Sequence, residues 1–313
     1  MKQLILGVIL LFFLSGFSQE IFQVKEIKTL ITPTEAAGIF MSPKWSPDGQ
    51  KIALTSLNYR GIWIYHVPSG EIEQITDELA AGFGFSWSSN SQYLLTRVSR
   101  FENNRRLSAV KTFDISQGSE LYLTEYRKRL PDIPRWSPAN DQVMFYNGKE
   151  IEHLDLSPQF SAESSPFVCY PLRDKIYLEN TINGEKREFQ PFPGAIYLNV
   201  NLAPDAVHVA FEVYGGNCFV LNLQNGGLTD LGQGNYASWS PNSKYVVYMI
   251  ALDDGHRYTE SDIYISNIAG NYSQNLTAKI DQIAMYPAWS PLENKIIFST
   301  YNLGTIEVIE FDQ

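Results

Sequence analysis

Cysteine is scarce. The 313 residues hold two, Cys169 and Cys218, which excludes a disulfide-built scaffold, and no C-x-x-C pair is present to hold a structural zinc. They fall in different repeat units, described next, which weighs against a bridge between them. Positive charge is short as well. With 24 Lys+Arg against 34 Asp+Glu, the net charge of −10 repels phosphate backbones and argues against nucleic acid as a partner. The four histidines, His66, His153, His208 and His256, form no H-x-x-x-H or H-E-x-x-H pair. No G-x-S-x-G stands ready as a nucleophile elbow, so a hydrolase domain is excluded. Beyond the first residues no apolar run approaches the ~20 residues of a membrane-spanning helix. Helical i, i+3, i+4, i+7 spacing is missing from the rest of the chain, so helix is minor.

What is present is core-forming material. Apolar residues are 44% and charged residues 19%, with 18 Phe and 18 Tyr, too much to stay disordered. The chain opens on Met1-Lys2-Gln3, an apolar stretch from Leu4 to Leu14, and small residues at Gly16 and Ser18. A charged start, a short apolar region and a small-x-small pattern make a cleavable export signal over residues 1–18, with the mature chain, 19–313, as one domain. No cysteine stands near the cut, which argues against a lipid anchor. The expected location is the periplasm or the medium.

Five of the six tryptophans introduce variants of one motif: Trp45-Ser-Pro-Asp-Gly49, Trp87-Ser-Ser-Asn-Ser91, Trp136-Ser-Pro-Ala-Asn140, Trp239-Ser-Pro-Asn-Ser243 and Trp289-Ser-Pro-Leu-Glu293. Leu202-Ala-Pro-Asp-Ala206 is a sixth copy without the indole. Pro pre-sets φ at the second turn position, Asp or Asn suits the third, and Gly takes a left-handed corner, so each copy reads as a strand reversal. β-branched and aromatic runs follow, such as Lys51–Thr55, Tyr245–Met249 and Lys295–Phe298, then second runs such as Gly61–Tyr65 and Asp262–Ile265. Each unit therefore supplies four antiparallel strands over ~40–50 residues, the size of a propeller blade. The last unit has chain for only three strands. The segment from Phe22 to Thr32 is the candidate for the missing outer one, clasping the first and last blades together.

On these motifs the sequence resembles the TolB-type, WD-repeat-like β-propeller family, over roughly residues 22–313. The fold expected is all-β, a single propeller with six four-stranded blades closed by the N-terminal strand. The 66-residue interval between Trp136 and Leu202 keeps seven blades as the alternative, the other reading being one blade with an insertion near Pro158 to Pro171. The resemblance implies a binding scaffold working on proteins of the cell envelope. The small α/β domain that precedes the propeller in TolB finds no room between the cut and the first strand.

The motif residues Asp48, Asn90, Asp205 and Asn242 suit turns, and the indoles suit the space between blades. The candidate binding positions lie just before each motif, where the chain enters the innermost strand near the axis: Phe83, Phe85, Asp132, Arg135, Tyr197, Asn235, Tyr236 and Tyr286, with Met285 beside them. Aromatic side chains there would form a rigid contact ring or plug the channel. A second candidate is the loop of the expected fifth blade, where Asp253, Asp254, His256 and Arg257 could bind a cation or a sugar, or simply make a solvated turn. Between Arg97 and Arg135 nine basic residues face five acidic ones, an asymmetry able to steer an acidic partner towards the second blade. The function expected is a non-catalytic propeller holding a protein or peptide partner at its channel mouth, monomeric and without a cofactor. The alternative is a carbohydrate binder, or a metal-assisted polysaccharide lyase or hydrolase, using the axial cavity.

Overall fold

The computed structural model describes residues 22–157, 160 and 165–312. Its strands form seven antiparallel sheets, each running outwards in chain order, at residues 41–76, 86–122, 135–155, 167–189, 197–230, 235–275 and 284–312. Five sheets have four strands, and blades three and four have three among the described residues. The molecule is a single seven-bladed propeller. Strand Gln23–Ile31 pairs with Ile306–Asp312 and supplies the outer edge of blade seven, so the first residues of the ring complete its last sheet. Phe22 fixes that clasp. It is buried edge-on against Tyr245 at 4.9 Å and Phe311 at 5.4 Å, while its carbonyl accepts from Gln274 Nε2 at 2.9 Å. The expected export signal lies outside the described residues, as does part of the expected insertion between Pro158 and Pro171. No helix among the described residues is long and apolar enough to cross a membrane.

Seven blades rather than six is a correction with a local cause. In the six motif-bearing blades the motif's first residue pairs with the residue seven further on, as Trp45 does with Ile52 and Leu202 with Val209. In blade four Pro171 takes that place and pairs with Ile176, only five further on. The reversal there has shrunk to Arg173-Asp174, with Arg173 in the left-handed region at φ 57°. The motif is gone, yet the blade remains.

Elsewhere the motif binds blade to blade. Ser46 Oγ donates to Asp48 Oδ1 and accepts from Lys51 N, closing the reversal; Ser88 with Asn90 and Ser240 with Asn242 repeat the first of these bonds. Four of the five motif indoles then reach the preceding blade, where the N–H donates to the carbonyl just ahead of that blade's motif. Trp87 reaches Lys44 at 3.1 Å, Trp136 reaches Ser86 at 3.2 Å and Trp239 reaches Asn201 at 2.9 Å. Trp45 reaches Ala288 of blade seven at 3.3 Å, which closes the ring. Trp289 has no partner for its indole N–H among the described residues. Because every blade is covered on both faces, second strands are apolar without alternation, as in Ile52-Ala53-Leu54, all fully buried. Cys169 and Cys218 are buried, free thiols in blades four and five, and burial pushes both up to about 12.

Candidate functional site

The innermost strands share an irregularity that decides what faces the channel. Register breaks between Met41 and Lys44, Leu198 and Asn201, Asn235 and Ser238, and Met285 and Ala288 mark a bulge in four of them. The bulged residues Ser42, Asn199, Tyr236 and Tyr286 lie in the left-handed region at φ 53°, 48°, 55° and 55°. Each stands three residues before its motif. Gly84, at φ 74°, occupies the same place before Trp87, and a side chain there would run into Ile133. Glycine takes this conformation freely, but an L-residue pays on the order of 1–2 kcal/mol for it, and a bulky Tyr has no local compensation. Two adjacent blades nevertheless carry Tyr there. Strain of this kind persists only where surrounding contacts impose it.

Those contacts come from the neighbouring blade. Glu212, on the second strand of blade five, is buried and accepts from Tyr236 N at 2.6 Å, Asn199 Nδ2 at 2.7 Å and Asn235 Nδ2 at 2.9 Å. Met249 of blade six gives its sulfur to Tyr286 N at 3.4 Å. Arg97 of blade two donates to the carbonyls of Leu130 and Asp132 on the way into blade three. Glu212, Met249 and Arg97 all stand ten residues after the first residue of their own motif. They are equivalent brackets, each holding the inner approach of the next blade.

Around the bulges the structure gathers aromatic rings from blades one, six and seven and the chain leading into blade two. Tyr236 and Tyr286 pack edge to face at 4.6 Å, Tyr59 meets Phe83 at 5.1 Å, and Tyr258 meets Tyr301 at 5.6 Å. The Tyr59 phenol lies near enough to act on the Tyr286 hydroxyl, linking the groups. Burial, reinforced by the neighbouring phenols, pushes the Tyr236 and Tyr286 hydroxyls well above the usual tyrosine range, so both remain protonated donors at any ordinary pH. Phe83 is 39% exposed and Tyr236 36%, so the rings form an open ledge. The Arg97 guanidinium lies over Phe83 at 5.6 Å.

Other expected positions have different fates. Phe85 is fully buried in the core between blades one and two, and Tyr197 is buried with its hydroxyl bonded to Phe192 N and O, so neither lines the mouth. For Phe85 the reason is register: the third residue before the motif takes the left-handed conformation, and Phe85 stands one position beyond it and turns into the core between the blades. Met285 is also buried. Asp132 and Arg135 neutralise each other through a double contact at 2.7 and 3.0 Å, and Asp132 also accepts from Tyr146 N. Asn235 spends its amide on Glu212. The charged loop belongs to blade six, because the motif-less blade four precedes it in the ring. Asp253 Oδ1 accepts from Gly255 N, and Asp254 Oδ1 from His256 N and Arg257 N. These backbone bonds hold the Asp254 carboxyl below its ordinary range, so the loop caps its own turn.

The histidines are dispersed. His66 contacts Glu73 at 2.9 Å, His208 contacts Asp205 at 2.8 Å, and His153 lies at 3.4 Å from Gln142. No three His, Cys, Asp or Glu side chains converge among the described residues. A cavity of about 340 Å³ opens at the other end of the molecule, between the motifs of blades two, three and five. It borders Trp136, Phe167, Cys169 and Leu202, where the belt of indole bonds is interrupted.

Tyr59, Tyr258, Tyr301 and Glu212 were not anticipated from sequence. Tyr59 and Tyr301 sit in connections between second and third strands and Tyr258 opens the third strand of blade six, and nothing local says that these meet over the channel. Glu212 and Arg97 had a legible signal in their fixed offset from the motif.

Fold and site together define a β-propeller with an aromatic channel mouth, of the TolB-like and WD-repeat-like architecture. Among solved structures the chain is similar to TolB from Acinetobacter baumannii, at 21% identity and a TM-score of 0.53, over 80% of this chain and 57% of that one. The chain thus spans little more than half of that TolB chain. It is also similar to the propeller domain of Myceliophteria thermophila Cps50 (Swd1), at 13% identity and a TM-score of 0.59, over 93% of this chain and 99% of that one. An oligogalacturonate lyase in complex with manganese matches at 12% identity and a TM-score of 0.47, over 87% of this chain and 77% of that one, too distant to carry an argument. At these identities the likeness is one of fold. No family model and no curated protein matches the sequence.

Proposed function

We propose that this chain is exported, loses residues 1–18, and works in the cell envelope as a non-catalytic propeller that binds a protein or peptide partner at the channel mouth. One observation carries the reading. Tyr236 and Tyr286 sit side by side in a backbone conformation that costs energy, held there by Glu212 and Met249, and they present rings that a simple channel lining would not require. Rigid aromatic rings with protonated hydroxyls suit peptide recognition, because they offer area and hydrogen bonds at little entropic cost. The neighbouring Tyr59, Phe83, Tyr258 and Tyr301 extend the same ledge.

The test is capture from envelope extract on the immobilised mature chain, wild type against Tyr236→Ala/Tyr286→Ala. A specific partner retained by the wild type and lost from the double variant is expected. If every captured protein binds both equally, the mouth is not the binding site.

A further inference from the structure

The second–third hairpin of blade two, strands Tyr93–Glu102 and Arg105–Asp114, is ten residues long on each side, against five in blade one. The fourth strand, Ser119–Tyr122, covers only the Lys111–Asp114 portion, so the tip stands clear of the blade. A single bridge between Ser108 and Arg127 lays the following loop alongside this projection. Arg105 and Arg106 on the hairpin thereby come beside Lys128 and Arg129 on the loop, all four exposed. Arg105, Lys128 and Arg129 make no ion pair among the described residues, and Arg106 has only a hydroxyl, Ser99 Oγ at 3.1 Å.

Two further features distinguish this surface from a merely solvated hairpin. Phe101, 66% exposed, stands among the charges at the tip. Arg100 is held over the Tyr126 ring at 4.1 Å and braced by Glu102 at 3.3 Å, which orders the projecting end of the hairpin. By contrast, Arg127 in the same loop is consumed by a two-pronged pair with Glu152 at 2.7 and 2.8 Å. In a chain of net charge −10, free cations around an exposed ring form a local field of opposite sign to the rest of the molecule.

We infer that this projection is a docking surface for an acidic polypeptide segment carrying an apolar side chain that packs on Phe101. Polyphosphates and anionic bilayers are the less suited occupants. Both extend well beyond the patch and meet the acidic remainder of the surface, whereas a short peptide fits within it. The surface is built on blade two and the loop that follows it, whereas Tyr236 and Tyr286 stand on blades six and seven, so the two can be tested apart.

The test is fluorescence anisotropy with a labelled twelve-residue peptide of Glu and Asp around a central Leu-Phe, alongside its Lys counterpart, in low and in physiological salt. The acidic peptide should bind at least tenfold tighter than the basic one and weaken as salt rises. It should lose at least tenfold in Arg105→Glu/Arg129→Glu, and severalfold in Phe101→Ser. Tyr236→Ala/Tyr286→Ala should bind it as the wild type does, which separates this surface from the mouth. Equal binding of both peptides, or unchanged binding by the charge-reversed variant with its circular dichroism intact, overturns the proposal. Phosphatidylglycerol vesicles bound where the peptide is not would overturn it too, assigning the patch to lipid.

Discussion

Glu212 is the side chain on which the geometry of the mouth depends most directly. Its carboxylate accepts three bonds in a buried position, from Tyr236 N, Asn199 Nδ2 and Asn235 Nδ2. Replacing it by Ala strands all three donors. The two amides can rotate towards water, but the Tyr236 N–H is fixed by the bulge. With ~1–3 kcal/mol for each buried group left unpaired, partly relieved by rotation, Glu212→Ala should cost about 3–5 kcal/mol. Glu212→Gln is the informative comparison. Its oxygen can replace Oε1 and keep the bonds to Tyr236 and Asn199, while its NH₂ faces Asn235, whose amide can flip to accept. That variant should lose only about 1 kcal/mol. The assay is urea unfolding with unchanged m-value, together with amide exchange at Tyr236, which should quicken in the Ala variant before global unfolding does. An Ala variant within about 1 kcal/mol of the wild type would refute the bracket. So would a Gln variant as damaged as the Ala variant, because charge rather than hydrogen bonding would then hold the bulge.

Two other consequences can be measured on the same footing. Trp87→Phe removes a bond to the Lys44 carbonyl, whereas Trp289→Phe removes none, so the first should be about 1 kcal/mol more destabilising in urea midpoints, and equal losses would discredit the indole belt. Lys44 donates to the Phe85 carbonyl at 2.6 Å, much as Asn201 does to Ala237, and burial lowers its amine from 10.5 to about 8. The unfolded chain binds more protons between those values, so the penalty is full below pH 8 and fades as pH rises to 10.5. At ~1.4 kcal/mol per pH unit the ceiling is ~3 kcal/mol. Lys44→Gln should therefore be more stable than the wild type at pH 7 and converge with it near pH 10.5; a difference independent of pH would refute this.

The kind of fold was written in contiguous residues. Trp-led reversals at blade-sized spacing, apolar runs of strand length and one strand too few at the end were enough to specify a closed ring and the N-terminal segment that completes it. These are local signals, because a turn, a strand run and a repeat are each written in contiguous residues. Blade number was a tertiary matter. Blade four replaced the motif with Pro171 and a two-residue reversal, and only pairing with Ile176 shows that it fills a blade's place. The mouth was partly legible: Phe83, Tyr236 and Tyr286 were visible as aromatics ahead of motifs, but so were Phe85 and Tyr197, which the core absorbed. What separates Tyr236 and Tyr286 from Phe85 is which residue takes the left-handed conformation, a one-position difference that turns a side chain from the blade interface to the channel. Tyr59, Tyr258 and Tyr301 could be placed only by closure, since their meeting depends on blade one lying beside blade seven. That adjacency is a property of the ring and of no stretch of chain within it.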